Sequence, residues 1–166
     1  VKIETSRIVS VLERQVLAKI HRLIYAHNAA FYREHAQNPD SMLGTFVDSG
    51  SLANLTALWV ARNTVFPPDG RFHGIEKDGV AAAYRRYGVE RSVILVSQLG
   101  HYSLWKAGGV LGIGNRNIVP VEVDHNYRID LNRLRASIRK LRGGRSRTRI
   151  LAVVGIPLLI VGIVQL

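Results

Sequence analysis

The sequence predicts an α/β protein with a mostly parallel sheet and flanking helices. The first observation behind this prediction is a regular alternation over residues 92–156, where short apolar runs typical of buried strands are separated by amphipathic helical stretches. The second is the order strand, helix, strand, helix, strand, which is typical of parallel strands joined by right-handed crossovers. The third is a 47% apolar content, which gives a 166-residue chain enough apolar side chains for a buried core.

The first part of the chain is predicted to be helical. Apolar residues recur at spacings of three and four over residues 6–36, which predicts one long amphipathic helix. A break at Pro39 and a short apolar run over 43–47 follow, and a second helix begins after the small polar stretch 48–51. A loop at 67–70 ends this region. The apolar positions of the two helices are Val9, Leu12, Val16, Ile20, Leu23 and Ile24, and Leu52, Leu55, Leu58 and Trp59.

The second part supplies the predicted sheet. Asp130 can cap the second of its two helices, and Gly143 with Gly144 can end it. The predicted strands cover 92–97, 118–123 and 150–154, and the predicted helices cover 101–111 and 131–142.

The amino-acid composition excludes several kinds of functional site. The chain has no cysteine, so disulfides, thiolate metal sites and cysteine nucleophiles are excluded, and we predict no metal site. The first residues show no leader, which predicts a cytoplasmic protein. Residues 150–166 carry no charge, but glycine, proline and glutamine interrupt them, so we expect a buried strand and an apolar tail with no membrane span.

The net charge of +11 requires an interpretation. Basic residues are concentrated on and after the last predicted helix, which favours a solvated helix face and loop. The alternative is a basic module that binds nucleic acid or another polyanion, although no aromatic residues interleave with the arginines. The basic residues concerned are Arg133, Arg135, Arg139, Lys140, Arg142, Arg145, Arg147 and Arg149.

Ser49, Gly50 and Ser51 lie between an apolar run and the start of a helix. At such a position, unpaired backbone N–H groups and the positive end of the helix dipole favour a bound phosphate, and two hydroxyls can add hydrogen bonds. The alternative is a plain helix cap, in which the Ser51 oxygen accepts the backbone N–H of residue 53 or 54.

His101 follows a predicted parallel strand, at the carboxyl edge of the sheet, where ligands bind in open α/β folds. A flat imidazole at this edge could stack on an aromatic cofactor. The alternative is a surface or capping histidine, since the chain has six histidines and most must have such a place.

Three blocks of sequence carry a family resemblance. Residues 49–63 contain a small-residue loop followed by Ala-Asn-x-Thr-Ala-Leu and Ala-Arg, residues 96–107 contain His-Tyr-Ser-x-x-Lys-Ala, and residues 111–131 continue through Val121, Asp124 and Arg-Ile-Asp-Leu. In these blocks the chain resembles the group II pyridoxal-phosphate-dependent amino-acid decarboxylases. The flanking residues 21–25, 31–32 and 58–63 are most similar to the aspartate 1-decarboxylase branch.

The resemblance implies part of the large domain of the type I pyridoxal-phosphate fold, also called aspartate aminotransferase-like. It implies that Ser49, Gly50 and Ser51 bind the phosphate of pyridoxal 5'-phosphate and that His101, the catalytic candidate, stacks on its ring. The implied activity is decarboxylation of an amino acid, of the aspartate or glutamate type, by a homodimeric enzyme. From the charge distribution and the interrupted tail we expect neither a nucleic-acid nor a membrane partner. The implied domain covers 1–156, with an N-terminal helix at 1–38, the phosphate loop and its helix at 44–63 and a βαβαβ unit at 92–156.

The chain departs from the family at two places. Asp48 puts a carboxylate next to the phosphate loop, which would weaken phosphate binding unless the side chain turns away. After Ile156 the family's Gly-Thr-Thr turn is replaced by an out-of-pattern apolar tail at 157–166, as a frameshift or truncation would produce. The resemblance places the lysine that binds the cofactor beyond this point. We therefore expect a fragment that is inactive by itself or inert.

Overall fold

The computed structural model describes residues 7–144, 147–155 and 163–164, and the chain divides into two compact units, 1–48 and 49–166. In the first unit, α1 (Arg7–Tyr25) is followed by α2 (Ala29–His35). The single long helix predicted over 6–36 is therefore wrong. Ala26 has a positive φ of 49°, which ends α1, and the Asn28 side chain accepts the N–H of Phe31 at 2.9 Å, which begins a new helix.

The six apolar residues of the predicted stripe on α1 are exposed. Leu23 is 85% exposed and even Ile20, the least accessible of them, is 41% exposed. The amphipathic pattern is present in the sequence, but these side chains do not contribute to the buried core of the chain.

The second unit contains the sheet and its helices. Its strand order is β2-β1-β3-β4, with β1 paired in parallel to both β2 and β3, and the short β4 antiparallel to β3. The elements are α3 (Gly50–Val65), α4 (Ile75–Tyr87), β1 (Arg91–Ser97), α5 (Ser103–Val110), β2 (Ile118–Val121), α6 (Leu131–Gly143), β3 (Thr148–Val154) and β4 (Ile163–Val164).

The core of the second unit is centred on β1. All six residues from Ser92 to Ser97 are buried, and because successive side chains point to opposite faces, both faces of this strand are covered. Leu58 on α3 and Phe66 just after it are among the largest fully buried side chains, and α3 packs against α5 and β3.

The predicted fold class is confirmed, since the three predicted strands form a parallel sheet with flanking helices. Asp130 caps α6 as expected, because its carboxylate accepts the N–H of Asn132 at 2.7 Å. The sequence pattern missed α4, which has non-helical backbone angles at Gly79 and ends at Gly88 in the left-handed conformation. Glycine inside the segment hides the helical periodicity.

The apolar tail predicted at 157–166 lies mostly outside the described residues. Two of its residues form β4, which pairs with Val153 and Val154. Within the part of the chain that the structure describes, no helix combines the length and apolar character that crossing a membrane would require.

Candidate functional site

The loop after β1 carries His101 at the carboxyl edge of the parallel strands. The N–H of Gln98 donates to the carbonyl of Val121 at 2.8 Å, which ties the start of the loop to the end of β2. The N–H of Gly100 then donates to the Ser97 carbonyl at 2.7 Å and turns the chain towards α5. The predicted location of His101 at this edge is therefore correct, although α5 begins at Ser103 and His101 precedes the helix.

The His101 ring is hydrogen-bonded to Ser103, the first residue of α5. Its Nδ1 atom lies 2.8 Å from the Ser103 hydroxyl and 3.3 Å from the Ser103 backbone nitrogen. One further ring contact joins His101 to Tyr102, whose ring centroid lies 4.2 Å away at an interplanar angle of 41°. The ring is thus held by hydrogen bonds at its Nδ1 atom, while His101 itself is exposed.

A buried hydrogen bond connects this loop to α3. The Asn54 side-chain amide donates to the Ser103 hydroxyl at 2.9 Å, and both residues are buried. Asn54 lies one helical turn, about 6 Å along the axis, from Gly50 at the start of α3. The structure therefore links the helix of the predicted phosphate loop to His101 through two side chains.

The start of α3 has the features of an anion site. Ser49 is the N-cap: its hydroxyl oxygen accepts the N–H of Leu52 at 3.2 Å and its carbonyl accepts the N–H of Ala53 at 2.9 Å. The N–H groups of Gly50 and Ser51 have no acceptor among the described residues, as the first turn of a helix allows. The cap predicted at Ser51 is wrong, because α3 already begins at Gly50 and Ser49 caps it. This arrangement leaves two N–H groups available for a phosphate.

The backbone at this helix start is open to solvent. A Cβ atom built on Gly50 would meet no atom within 4 Å, and Ser49, Gly50 and Ser51 are all exposed. Two N–H donors, two serine hydroxyls and the helix dipole are suited to a dianion. That these residues and His101 line one pocket stays a prediction.

The other charged residues near the sequence motifs have different contacts. The Lys106 ammonium lies 4.8 Å from the centroid of the Tyr102 ring, in a cation–π contact. On α6, Arg133 forms an ion pair with Glu122 at 3.2 Å, and the basic residues Arg135, Arg139, Lys140 and Arg142 are exposed. The interpretation of this cluster as a polyanion site stays an untested alternative.

Sequence reasoning assigned no role to Arg62, which is buried. Its Nη1 donates to the carbonyl of Leu111, at the end of α5, at 2.8 Å, and its Nε and Nη2 atoms lie 3.2 Å from the Asn63 Oδ1. Burial lowers the pKa of the Arg62 guanidinium, and nearby Tyr84 and Glu76 oppose the shift. The available signal was an arginine directly after the apolar run 57–61 of a predicted helix.

A cavity of about 630 Å³ lies between the end of α3, α6 and β3. It is lined by Thr64, Ile138, Arg142 and most of β3, and by none of the predicted site residues. The carboxyl edge of the sheet near His101 is a separate location.

Comparison with known proteins shows which enzymes this chain is related to. The chain is 44% identical over 156 residues to the aspartate 1-decarboxylase of Aliivibrio fischeri, a match that covers 94% of this chain. The chain is a relative of the group II pyridoxal-phosphate-dependent amino-acid decarboxylases. It is also 34% identical over 145 residues to the L-tyrosine decarboxylase of Enterococcus faecalis, which covers 68% of this chain. No protein-family model matches it.

The comparisons also show how much of a decarboxylase this chain represents. It spans 28% of the length of the aspartate 1-decarboxylase and 23% of the tyrosine decarboxylase. A crystal structure of mouse CSAD superposes with a TM-score of 0.65 at 21% identity, over 88% of this chain and 26% of that one. This similarity confirms the fold as part of a larger α/β domain. Pyridoxal 5'-phosphate is the cofactor that the relationship predicts.

Proposed function

We propose that this chain forms the phosphate-binding and ring-binding part of a pyridoxal-phosphate-dependent decarboxylase that acts on an acidic amino acid. The observation that carries the proposal is the hydrogen-bonded connection from α3 through Asn54 and Ser103 to His101. It joins a helix start suited to a phosphate with an imidazole at the carboxyl edge of the sheet.

The phosphate would bind at the start of α3. The N–H groups of Gly50 and Ser51 donate to it, and the hydroxyls of Ser49 and Ser51 add hydrogen bonds. The exposed Asp48 opposes this binding through charge repulsion.

The ring would stack on His101, which orients it and excludes water from one face. When bound, the cofactor supplies an electron sink for the pair left by departing carbon dioxide. Residues 1–166 contain five lysines, and none is in the family's cofactor-binding motif. We therefore propose that this chain binds the cofactor weakly and non-covalently, and that it does not release carbon dioxide by itself. The lysines are Lys2, Lys19, Lys77, Lys106 and Lys140.

The comparisons support an acidic substrate class. Identity to the aspartate 1-decarboxylase is 44%, against 34% to a tyrosine decarboxylase, which supports an acidic substrate of the aspartate or glutamate type. We also propose a cytoplasmic homodimer as the intact enzyme, without nucleic-acid or membrane partners. The division into a domain at 1–156, built from 1–38, 44–63 and 92–156, and a tail at 157–166 belongs to the same proposal.

The test is a titration of the 166-residue chain with pyridoxal phosphate, pyridoxal and inorganic phosphate, followed by absorbance and tryptophan fluorescence. Pyridoxal phosphate should bind, pyridoxal should bind at least about tenfold more weakly, and inorganic phosphate should compete. Ser51→Ala should weaken the binding of pyridoxal phosphate and inorganic phosphate, and Asp48→Asn should strengthen it. His101→Ala should weaken the binding of pyridoxal phosphate and pyridoxal only. His125→Ala, at an exposed loop position, is the matched control.

Three results would contradict the proposal. They are equal binding of pyridoxal and pyridoxal phosphate, a borohydride-trapped lysine adduct at one position, and carbon dioxide release from aspartate or glutamate. Tight, salt-sensitive binding of an oligonucleotide would instead favour the polyanion-binding alternative, and a circular dichroism signal without a melting transition would favour an inert fragment.

A further inference from the structure

A buried pair of polar side chains lies behind the exposed His101 ring. Asn54 is 8% exposed and Ser103 is 2% exposed, and each needs hydrogen-bond partners because unsatisfied polar groups are costly in the core. Asn54 and Ser103 are hydrogen-bonded to each other at 2.9 Å, and Ser103 is also hydrogen-bonded to the His101 imidazole at 2.8 Å.

The directions of these hydrogen bonds specify where the protons lie. The Asn54 amide nitrogen donates to the Ser103 hydroxyl oxygen, so the hydroxyl proton is available for the His101 Nδ1 atom. The Ser103 backbone N–H also donates to Nδ1, at 3.3 Å. A backbone N–H can only donate, so it requires Nδ1 to accept, and a neutral ring with this contact would carry its proton on Nε2.

We propose that Asn54 and Ser103 are positioning residues that fix the tautomer and the orientation of the His101 ring. The Nε2–H group is then a hydrogen-bond donor on the side of the ring away from Ser103. Because Asn54 lies on the helix that begins with the phosphate loop, the same contact sets His101 relative to Gly50 and Ser51. The benefit to cofactor binding rests on the function proposed above, but the tautomer does not.

The first measurement uses the ligand-free chain. Nitrogen-15 NMR of the histidine rings, at a pH of about 8.5 where an unperturbed imidazole is neutral, should show His101 as the Nε2–H tautomer. Asn54→Asp places an acceptor-only carboxylate against Ser103, so the hydroxyl turns away from the ring and the Nδ1–H population should rise. Asn132→Asp makes the same change at an exposed position of α6 and should leave the ring unchanged.

A double-mutant cycle separates a relay through Ser103 from a simple effect of the added charge. In a Ser103→Ala background the hydroxyl is missing, so Asn54→Asp should no longer change the tautomer. Ser103→Thr retains the hydroxyl and should restore the response. If Ser103→Ala unfolds the chain, the tautomer of the unmodified chain and its change in Asn54→Asp still test the proposal. An Nδ1–H ring in the unmodified chain, or an Asn54→Asp response of equal size without the hydroxyl, would overturn the proposal.

The second measurement concerns the ligand. Ser103→Ala should weaken pyridoxal phosphate binding by about tenfold, leave inorganic phosphate binding unchanged, and be rescued by Ser103→Thr. Equal loss of both ligands would show a structural effect on the helix start and would contradict the positioning role. If the unmodified chain binds neither ligand, the proposed function fails while the tautomer result stands by itself.

Discussion

Gly100 determines the path of the chain from β1 to His101. A Cβ atom at this position would lie 2.5 Å from the Val96 Cγ1, 2.9 Å from the Ser97 carbonyl oxygen and 3.3 Å from the Trp105 ring. The first two neighbours belong to the central strand, which cannot move without disturbing the core. Only glycine fits this turn.

Gly100→Ala should therefore displace the loop. We expect the free energy of unfolding to fall by about 1–3 kcal/mol, as in other overpacked sites, and pyridoxal phosphate binding to weaken, since His101 moves with the loop. Urea unfolding and a cofactor titration measure the two effects.

The control is Gly143→Ala, where a Cβ atom has open space at the end of α6. Alanine there should be neutral or stabilising, because it favours helix over glycine. Equal stability and equal cofactor affinity for Gly100→Ala and the unmodified chain would contradict the steric argument.

At this scale the sequence predicted the candidates but not their connections. Ser49 and His101 could be identified as candidates because Ser49 lies before a predicted helix and His101 lies after a predicted strand. The contact between Asn54 and Ser103 does not, because helical periodicity tells which residues share a face but not which polar side chain meets which across two helices.

Among the elements, α3 and the end of α5 are joined by a buried cation. Arg62 donates to the Leu111 carbonyl, which lies just beyond the last residue of α5. A carbonyl at a helix end has no partner within the helix, so the guanidinium replaces the missing donor.

Arg62→Met should remove this donor while retaining an apolar stem of similar length. The unpaired Leu111 carbonyl should cost about 1–3 kcal/mol of the free energy of unfolding, which lowers the melting temperature by several degrees. Arg139→Met, on the exposed face of α6, should change stability by less than about 0.5 kcal/mol. Similar melting temperatures for the two variants would show that the buried hydrogen bond contributes little.

The turn between α1 and α2 is surrounded by aromatic rings. His21 Nδ1 lies 3.0 Å from the Tyr32 hydroxyl, and the His21 ring contacts those of Tyr25 at 4.4 Å and His27 at 5.7 Å. Burial, and secondly His27, lower the pKa of His21 below its usual value of 6.5. The Arg22 guanidinium lies 5.9 Å from the centroid of the Tyr32 ring, in a cation–π contact.

This shift gives the first unit a pH dependence. Because the pKa of His21 is lower in the folded state, the unfolded state binds more protons as the pH falls through 6.5, so stability is present above that pH and decreases below it. His21→Phe retains a ring without a titrating group and should show a smaller loss of stability. Thermal unfolding at pH 8 and pH 5.5 measures the difference, with the exposed His125→Phe as control. Equal losses for all three chains would contradict the assignment to His21.

In the second unit the order of elements from β1 to β3 was predictable and so was the end of α6 at Gly143, whereas α4 and, in the first unit, the end of α1 at Tyr25 were not. The strands at 92–97, 118–123 and 150–154 are recognisable because they are continuous apolar runs between helical patterns. The break at Ala26 depends on one backbone angle and on the Asn28 cap, and the spacing of apolar residues reports neither of them. Tertiary context decides such boundaries.

For the molecule as a whole, the alternation of strands and helices was sufficient to predict the fold class. It could not predict that the chain forms two compact units, because that depends on which side chains make contact over long separations. Nor could it predict the antiparallel pairing of Ile163 and Val164, since register follows from the geometry of the neighbouring strand.

The parallel pairing of β1 also has a consequence for how the chain acquires its structure. Arg91 pairs with Thr148, 57 residues later, and no two of the strands β1, β2 and β3 form a hairpin. Long loops must close before these contacts form, which slows folding. During synthesis on the ribosome, β1 therefore emerges well before β3. Its apolar side chains remain without their second neighbour during this interval, and exposed apolar surface with an unpaired strand edge is prone to aggregation.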